Sequence, residues 1–261
     1  MKTKYLFILL LIISKASAQI GFNVEYEADY KLVYKNQTKN SSIQEAAFAL
    51  LINKKESYFK NMNKYIQDSL SFEKKINENT SINDLLKYQT EFPENIGTTS
   101  AKLYITTSIS SKNYKYEETN NITWQLLNEF KKIDKYNCQK ATTKKYGRTW
   151  YAYFTEDIPF QFGPYKFNNL PGLILEAYDE KQDYVFSIYS FRKRKYFAKS
   201  ANMQSNAVLV NKSKIFDYQR KEIGDPNNYN KIITDPESLR FVLKKSQERA
   251  KNYNPLELEI L

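Results

Sequence analysis

The sequence predicts a mainly β fold of the α+β class: a single curved antiparallel sheet or half-barrel with a few helices, including one at the C-terminus. Three observations lead to this prediction. Apolar and polar residues alternate over residues 22–34, short strand-like segments follow one another closely from residue 102 to residue 191, and a helix-start signal lies at residues 234–237. Parallel strands need crossovers of a dozen or more residues, so such close spacing favours an antiparallel meander.

The alternation over residues 22–34 predicts a long strand with one buried face. Every even position is apolar or aromatic, and among the odd positions only Val33 is apolar. A period of two is the period of a strand. Tyr26, Tyr30 and Tyr34 lie on the predicted inner face, which favours an interior that is broad or covered by other aromatic residues.

A hairpin and a helical region are predicted next. Residues 46–52 and 57–59 form two strand-like runs around a polar turn at 53–56. Apolar residues then recur at helical spacing, at Met62, Tyr65, Ile66, Leu70, Ile82, Leu85 and Leu86. This pattern predicts one or two helices within residues 61–88, with a mobile surface insertion as the alternative. Further strands are predicted at residues 102–109, 114–118, 122–127, 136–143, 149–155, 173–178 and 184–191.

Residues 234–237, Thr-Asp-Pro-Glu, predict the start of the C-terminal helix. Thr234 is a capping side chain, Pro236 lies in the first turn, and Glu237 can bond back to Thr234. Apolar residues that follow at helical spacing, Leu239, Val242 and Leu243, give the helix an apolar face. We expect it to end by Asn252.

The first 18 residues predict a signal peptide, and residues 19–261 predict a single domain without a Gly-, Pro- or Ser-rich linker. Lys2 and Lys4 precede an apolar run, and Ala16-Ser17-Ala18 is a small-residue pattern that signal peptidase accepts. The run is shorter than the roughly 20 residues that span a bilayer. We therefore expect an exported protein, periplasmic, outer-membrane-associated or secreted, with no transmembrane segment after cleavage.

Charge and composition narrow the function classes. The signal peptide holds three lysines and no acidic residue, so the mature chain keeps 37 of the 40 basic residues against 29 acidic ones, a net charge of +8. In an exported protein this charge favours anionic lipid headgroups, cell-surface polysaccharide or an acidic partner over nucleic acid. A Lys- and Asn-rich composition on solvated faces is the simpler explanation. The basic cluster at residues 192–195 is predicted at a strand end.

Two absences exclude whole classes of chemistry. The chain contains no His, which removes imidazole metal ligation and both Ser-His and Cys-His nucleophilic catalysis. Cys138 is the only cysteine, so no internal disulfide and no Cys-based metal cluster can form. We predict a buried free thiol on a strand there, and we expect neither a metal nor a cofactor.

Residues 146–179 hold three of the six glycines and three of the seven prolines. Gly163-Pro164 predicts a bend. Pro171-Gly172 predicts a type II turn in which Leu170 is extended and Gly172 takes a positive φ, after which Leu173-Ile174 enters a buried strand.

The loop between the two bends carries an aromatic cluster, Phe160, Phe162, Tyr165 and Phe167. The simpler interpretation is a loop packed over the end of the core. The functional interpretation is an aromatic lip around a ligand groove or a partner surface, because fixed loops on a rigid scaffold often carry binding.

Around these bends the chain resembles the GLPGLI family, exported proteins of Bacteroidetes-type bacteria that are named for that hexapeptide. Residues 169–174 read Asn-Leu-Pro-Gly-Leu-Ile, with Asn169 in place of the first Gly. Asn tolerates left-handed backbone better than most residues. Other parts of the family's pattern follow in order at residues 136–141, 147–148, 153–159 and 163–167. The resemblance covers most of the mature chain but implies no reaction. Its strand pattern is similar to that of periplasmic lipoprotein carriers, in which a curved sheet wraps apolar cargo.

Without His, an enzyme would have to use other side chains, of which carboxylates are the nearest to the bends. Glu156, Asp157, Glu176 and Asp179 lie close to them in sequence, and a pair about 5 to 10 Å apart could act on a glycosidic bond. Glu176 could instead pair with Arg148 inside or beside the sheet, as a structural clamp.

Three functions are compatible with the sequence. The leading hypothesis is a non-enzymatic binding or carrier protein of the cell envelope, which holds a lipid or other apolar ligand in a groove or contacts an outer-membrane partner. The alternative is a carboxylate-based hydrolase of polysaccharide or peptidoglycan, with two acidic side chains facing each other. The third is a structural subunit of an envelope assembly.

Overall fold

The structure is a computed structural model that describes residues 22–39, 42–73, 75, 80–81, 83–84, 87–109, 112–198, 207–225 and 233–259. The predicted signal peptide lies outside these residues. The described chain forms one open, curved sheet of twelve strands with three helices, one of them C-terminal. The predicted mainly β fold is confirmed.

The sheet grows outward from a long central pair. β1 (Phe22–Tyr34) and β11 (Tyr184–Ala198) run antiparallel at its centre. The other strands are β2 (Gln44–Ile52), β3 (Glu56–Asn61), β4 (Asn95–Thr99), β5 (Lys102–Ile109), β6 (Lys112–Thr119), β7 (Gln125–Ile133), β8 (Tyr136–Lys145), β9 (Arg148–Thr155), β10 (Leu173–Asp179) and β12 (Val208–Leu209). Their order is β12-β6-β5-β4-β3-β2-β1-β11-β10-β9-β8-β7, antiparallel except where β12 joins β6.

The alternation predicted for β1 is confirmed from Tyr26 to Tyr34, and it changes face before that. The β1–β11 register shifts between Val24 and Tyr26. Phe22 and Val24 pack in a small cluster with Leu51, on the face opposite Tyr30. The pairs Val24–Tyr196 and Tyr26–Lys193 are two positions apart on β1 and three positions apart on β11, so β11 carries one extra residue at this irregularity. We call the face that carries Tyr30 the inner face.

The predicted β2–β3 hairpin is confirmed, and most later strands lie where the pattern predicted them. Three differences stand out. The strand predicted at 122–127 lies instead at Gln125–Ile133, and β4 was not predicted. β11 continues through the basic cluster to Ala198, because Arg192 pairs with buried Asp29 on β1 at 2.6 Å and so lies along the sheet rather than at its end.

The helices are α1 (Met62–Phe72), α2 (Lys212–Gly224) and α3 (Pro236–Lys251). α1 confirms part of the predicted helical region, whereas positions 82, 85 and 86 lie outside the described residues. α2 was not predicted, because charged residues interrupt its apolar positions. α3 confirms the predicted C-terminal helix, but its cap is Asp235, which accepts from the Ser238 amide at 2.8 Å, and not Thr234.

The inner face is filled by the chain itself. The loop at residues 158–170 lies over it, and the Phe167 ring, 1% exposed, packs against Trp150 at 4.6 Å and within 6.5 Å of Phe186. α2 adds Ile215 to the same core. The sheet interior is thus a packed core whose cover is made by the predicted aromatic loop.

Candidate functional site

The two bends confine the aromatic loop. Near the first, the Phe167 amide donates to the Pro164 carbonyl at 3.1 Å. The backbone after the second is fixed by two hydrogen bonds, from the Leu173 amide to Ile158 O and from the Ile174 amide to Phe162 O, both at 3.0 Å. The strand that follows is buried, as predicted.

The type II turn predicted at Pro171-Gly172 is wrong in its backbone. Gly172 does not have a positive φ; within the hexapeptide that conformation belongs to Asn169, at φ 68°. Gly172 is needed for space, because a Cβ there would lie 1.9 Å from the Thr155 carbonyl oxygen. Asn169 thus lies at the one position of the hexapeptide where tolerance of left-handed backbone is used.

The aromatic loop follows the simpler interpretation. Phe167 is buried, and Phe160, Phe162 and Tyr165 are half-buried rings packed against the main core. Phe160 lies 5.0 Å from the Tyr26 ring. Phe160, Phe162 and Phe167 cover the inner face, whereas Tyr165 also lines a cavity at its edge.

The predicted Arg148–Glu176 ion pair is wrong. Arg148 Nη1 binds Asp179 at 2.9 Å, whereas Glu176 binds Lys131 at 2.7 Å. The antiparallel register explains the exchange, because Asp179 lies opposite Trp150 near Arg148, and Glu176 lies opposite Tyr153 further along β9.

The four carboxylates considered for hydrolysis do not converge. Glu156 and Asp157 are exposed, and Glu176 and Asp179 are engaged in separate ion pairs. The facing acidic pair that the hydrolase hypothesis requires is not formed by these residues.

Arg148 instead anchors the C-terminal tail, residues 254–258. Its guanidinium donates to Asn254 Oδ1 and Pro255 O at 2.6 Å and to Leu256 O at 3.0 Å. The Leu258 amide adds a bond to Tyr146 O at 2.9 Å. The tail is thereby held against the core.

The C-terminal tail, α2 and residues 91–94, which precede β4, line a cavity of about 110 Å³ against the inner face. We call it the tail cavity. Its walls are Tyr34, Asn36, Glu91, Phe92, Glu94, Tyr116, Tyr165, Lys166, Tyr184, Ile215, Phe216, Gln219, Tyr253, Pro255, Leu256 and Glu257.

One end of the tail cavity is a closed ion network. Lys166, 1% exposed, binds Glu118 and Glu257 at 2.5 Å each and the Tyr116 hydroxyl at 3.1 Å. Lys212 from α2 binds the other oxygen of Glu257 at 2.6 Å. The charges of two ammonium groups and two carboxylates therefore cancel.

The network shifts the proton affinities of its members. Burial alone would raise the pKa of Glu257, but Lys166 and Lys212 outweigh it and the pKa falls below its usual value. Burial likewise opposes the charge of Lys166, yet Glu257 and neighbouring groups raise its pKa well above the ordinary value. Both groups are held charged, which suits a structural network.

The other end of the cavity carries carboxylates of a different kind. Glu91 accepts from Asn36 Nδ2 at 2.8 Å, and Glu94 accepts from Gln219 Nε2 at 2.9 Å. Burial raises the pKa of the Glu94 carboxyl above its ordinary value. Tyr253 stands at the rim, where burial, then Glu94 and Glu91, raise the pKa of its hydroxyl to about 12.

Sequence reasoning missed this site. Its charged members come from β6, the aromatic loop, α2, the segment before β4 and the tail, and no motif unites them. Lys166 gave one signal, as a lone cation between Tyr165 and Phe167 in an aromatic run. Within the described residues, no group of three acidic or cysteine side chains could hold a metal ion, and no helix is long and apolar enough to cross a membrane.

Comparison with known proteins shows similarity at the level of the fold. No protein-family model and no curated protein matches the sequence. A structure of PNGF-II in space group C2 aligns with TM-score 0.54 and 16% identity over 76% of this chain and 33% of the PNGF-II chain. The P21 form gives TM-score 0.53 and 15% identity over 75% and 33%. This chain thus spans about a third of PNGF-II.

A LolA-superfamily protein from Nitrosomonas europaea aligns over 69% of this chain and 88% of its own length, at 9% identity. Its TM-score of 0.27 is too low to infer a shared fold.

Proposed function

We propose that this chain is a non-enzymatic binding module of the bacterial cell envelope, exported as one GLPGLI-type domain, and that the tail cavity is its ligand site. The observation that carries the proposal is the cavity itself, which combines aromatic walls with two carboxylates at one end. A concave site with apolar and aromatic walls and a few converging polar groups is typical of a ligand site.

The geometry argues against the enclosed apolar ligand of the leading hypothesis. A cavity of about 110 Å³ is well below the roughly 300–1,000 Å³ of a pocket that encloses a small molecule. Phe167 and its loop occupy the inner face where an apolar cargo would lie. We infer that the module holds a small polar group of an envelope component rather than wrapping a whole apolar molecule.

Hydrolysis is the less favoured function. The acidic residues expected to perform it lie in solvent or in separate ion pairs. Glu257 is likewise held by two lysines and a tyrosine, so it has no free oxygen with which to activate water.

A blocking variant tests this proposal. Gln219 lines the tail cavity from α2, and the next residue, Arg220, is exposed. Gln219→Trp should fill the cavity, whereas Arg220→Trp adds the same ring on the solvent side. Purified residues 19–261 would be sedimented with envelope vesicles. We expect Gln219→Trp to lower the bound fraction at least fivefold and Arg220→Trp to leave it unchanged.

Two results would contradict the proposal. One is equal vesicle binding by the wild type and Gln219→Trp. The other is release of sugar or muropeptide products from polysaccharide or peptidoglycan by the wild type but not by Gln219→Trp, which would make the cavity catalytic.

A further inference from the structure

We propose that the tail cavity binds the ammonium group of an amine ligand. This inference rests on the proposed function and names the chemistry of that same site. It follows from the charge balance, the walls and the size of the cavity.

The charge balance leaves a carboxylate without a cation. Lys166 and Lys212 are both taken up by Glu118 and Glu257. Among the described residues, Glu91 has one basic neighbour, the exposed Arg249 at 4.0 Å.

Glu94 forms no ion pair with any described Lys or Arg, and its side-chain partner is the neutral Gln219 amide. A half-buried carboxylate in this position is stabilised by any cation that enters the cavity.

The walls suit an organic cation. Tyr34 and Phe92 pack edge to face at 5.1 Å, and Tyr34 stacks on Tyr184 at 6.1 Å. Tyr253 and Phe216 complete the aromatic lining. Ring faces attract ammonium groups, more strongly where water is excluded.

The same chain already binds an ammonium group in this way in the wall of the cavity. Lys166 Nζ lies 5.2 Å from the ring centroids of Tyr116 and Tyr146 and 5.3 Å from Tyr165, and it is neutralised by glutamates. Glu94 and the rings of Phe92 and Tyr253 line the same cavity, and no described Lys or Arg forms an ion pair with Glu94.

The volume of the cavity and the negative charge of Glu91 and Glu94 argue against acyl chains and anions as ligands. About 110 Å³ accommodates several water molecules or one small headgroup, not an acyl chain. An anion would meet Glu91 and Glu94 at one end and lysines already neutralised by glutamates at the other. An amine headgroup is the ligand that fits both constraints.

The groups that face Glu94 set the pH dependence. They are Gln219 from α2, Tyr253 at the rim, neighbouring Glu91, and Lys166 with Glu257 across the cavity. Glu94 must be ionised to bind a cation, and burial has raised its pKa. Affinity should therefore rise with pH through that raised pKa and then level off, while the ligand stays protonated.

The test uses n-butylammonium chloride as the probe and n-butanol as its uncharged counterpart, by calorimetry and amide NMR shifts on residues 19–261 at matched ionic strength. We expect n-butylammonium to bind at least tenfold more tightly than n-butanol. Glu94→Gln, which keeps the shape and the hydrogen bond, should weaken that binding at least fivefold. Glu117→Gln, at an exposed ion pair on β6, should leave it unchanged.

Equal affinity for n-butylammonium and n-butanol, no binding of either, or no effect of Glu94→Gln in a variant that unfolds at the wild-type temperature would overturn the inference. If n-butylammonium fails while vesicle binding still depends on Gln219, the cavity is a binding site for another chemistry. If n-butylammonium does not bind and vesicle binding does not depend on Gln219, the proposed function is refuted as well.

The source of the amine is resolved by two further arms. Sedimentation with phosphatidylethanolamine vesicles that free ethanolamine displaces would identify a lipid headgroup. Binding of ethanolamine without vesicle sedimentation would identify a free amine. Both results support ammonium recognition.

Discussion

Gly172→Ala tests whether close backbone packing fixes the shape of the chain at residues 169–174. The added Cβ would lie 1.9 Å from Thr155 O, 2.5 Å from Thr155 C and 3.0 Å from Glu156 Cα. All three are main-chain atoms at the end of β9, so no side-chain rotation can relieve the overlap. Ordinary contact at about 3.4 Å or more would require the two backbones to separate by roughly 1.5 Å.

The cost can be estimated from what that separation disturbs. Overpacking in a core costs about 1–3 kcal/mol. The bonds from the Leu173 and Ile174 amides lie directly after Gly172, and each contributes about 0.5–1.5 kcal/mol. We expect Gly172→Ala to lose about 2–6 kcal/mol of unfolding free energy, or roughly 4–24 °C of melting temperature.

Urea unfolding followed by tryptophan fluorescence measures this loss, since Trp150 is fully buried. Gly97→Ala is the matched control, because its Cβ would meet the Tyr58 ring at 3.0 Å and that ring can shift. Its loss should stay below about 1 kcal/mol. Equal losses in both variants would refute the steric reasoning. So would a Gly172→Asn protein as stable as the wild type, because that result would return the requirement to a positive φ.

Three other predictions follow from the buried contacts. Lys166→Met leaves Glu257 without its closest cation and should lower the free energy of unfolding in urea by about 3–5 kcal/mol. Lys102→Met, in an exposed ion pair, should lower it by less than about 1 kcal/mol. Similar losses in the two variants would contradict this expectation. Arg148→Lys cannot reproduce the fork that holds residues 254–258, so carboxypeptidase should shorten that protein faster than the wild type; equal digestion rates would count against the anchor. Burial raises the pKa of Cys138 to about 11, so at pH 8 about one thiol in a thousand is ionised, and a disulfide reagent should modify it only on unfolding; rapid native labelling by mass spectrometry would show otherwise.

Local sequence patterns predicted most of the fold correctly. The period of two in β1 and the capping signal before α3 are local properties, and both elements formed where they were expected. The failures are equally physical. The face change at Val24 depends on the pairing with β11, and β4 is a five-residue strand containing Gly97 whose position is set by its neighbours on both sides. Neither the sequence around Val24 nor that of β4 contains the information that sets these features.

The wrong prediction of the Arg148 ion pair has the same cause, because strand register is not visible in a local segment. Arg148 and Glu176 are near each other in sequence and on adjacent strands, yet register places Asp179 beside the guanidinium.

The tail cavity lies still further from local reasoning, because the residues that bind Lys166 and Arg148 in the tail are 91 and 106 positions away. What the sequence offered was an anomaly of composition, because a lysine inside an aromatic run must either be exposed or be neutralised. The sequence does not decide between the two, since other residues of the same loop, such as Gln161, are exposed. Only the fold buries Lys166 against Glu257, in the wall of the cavity that Glu94 also lines.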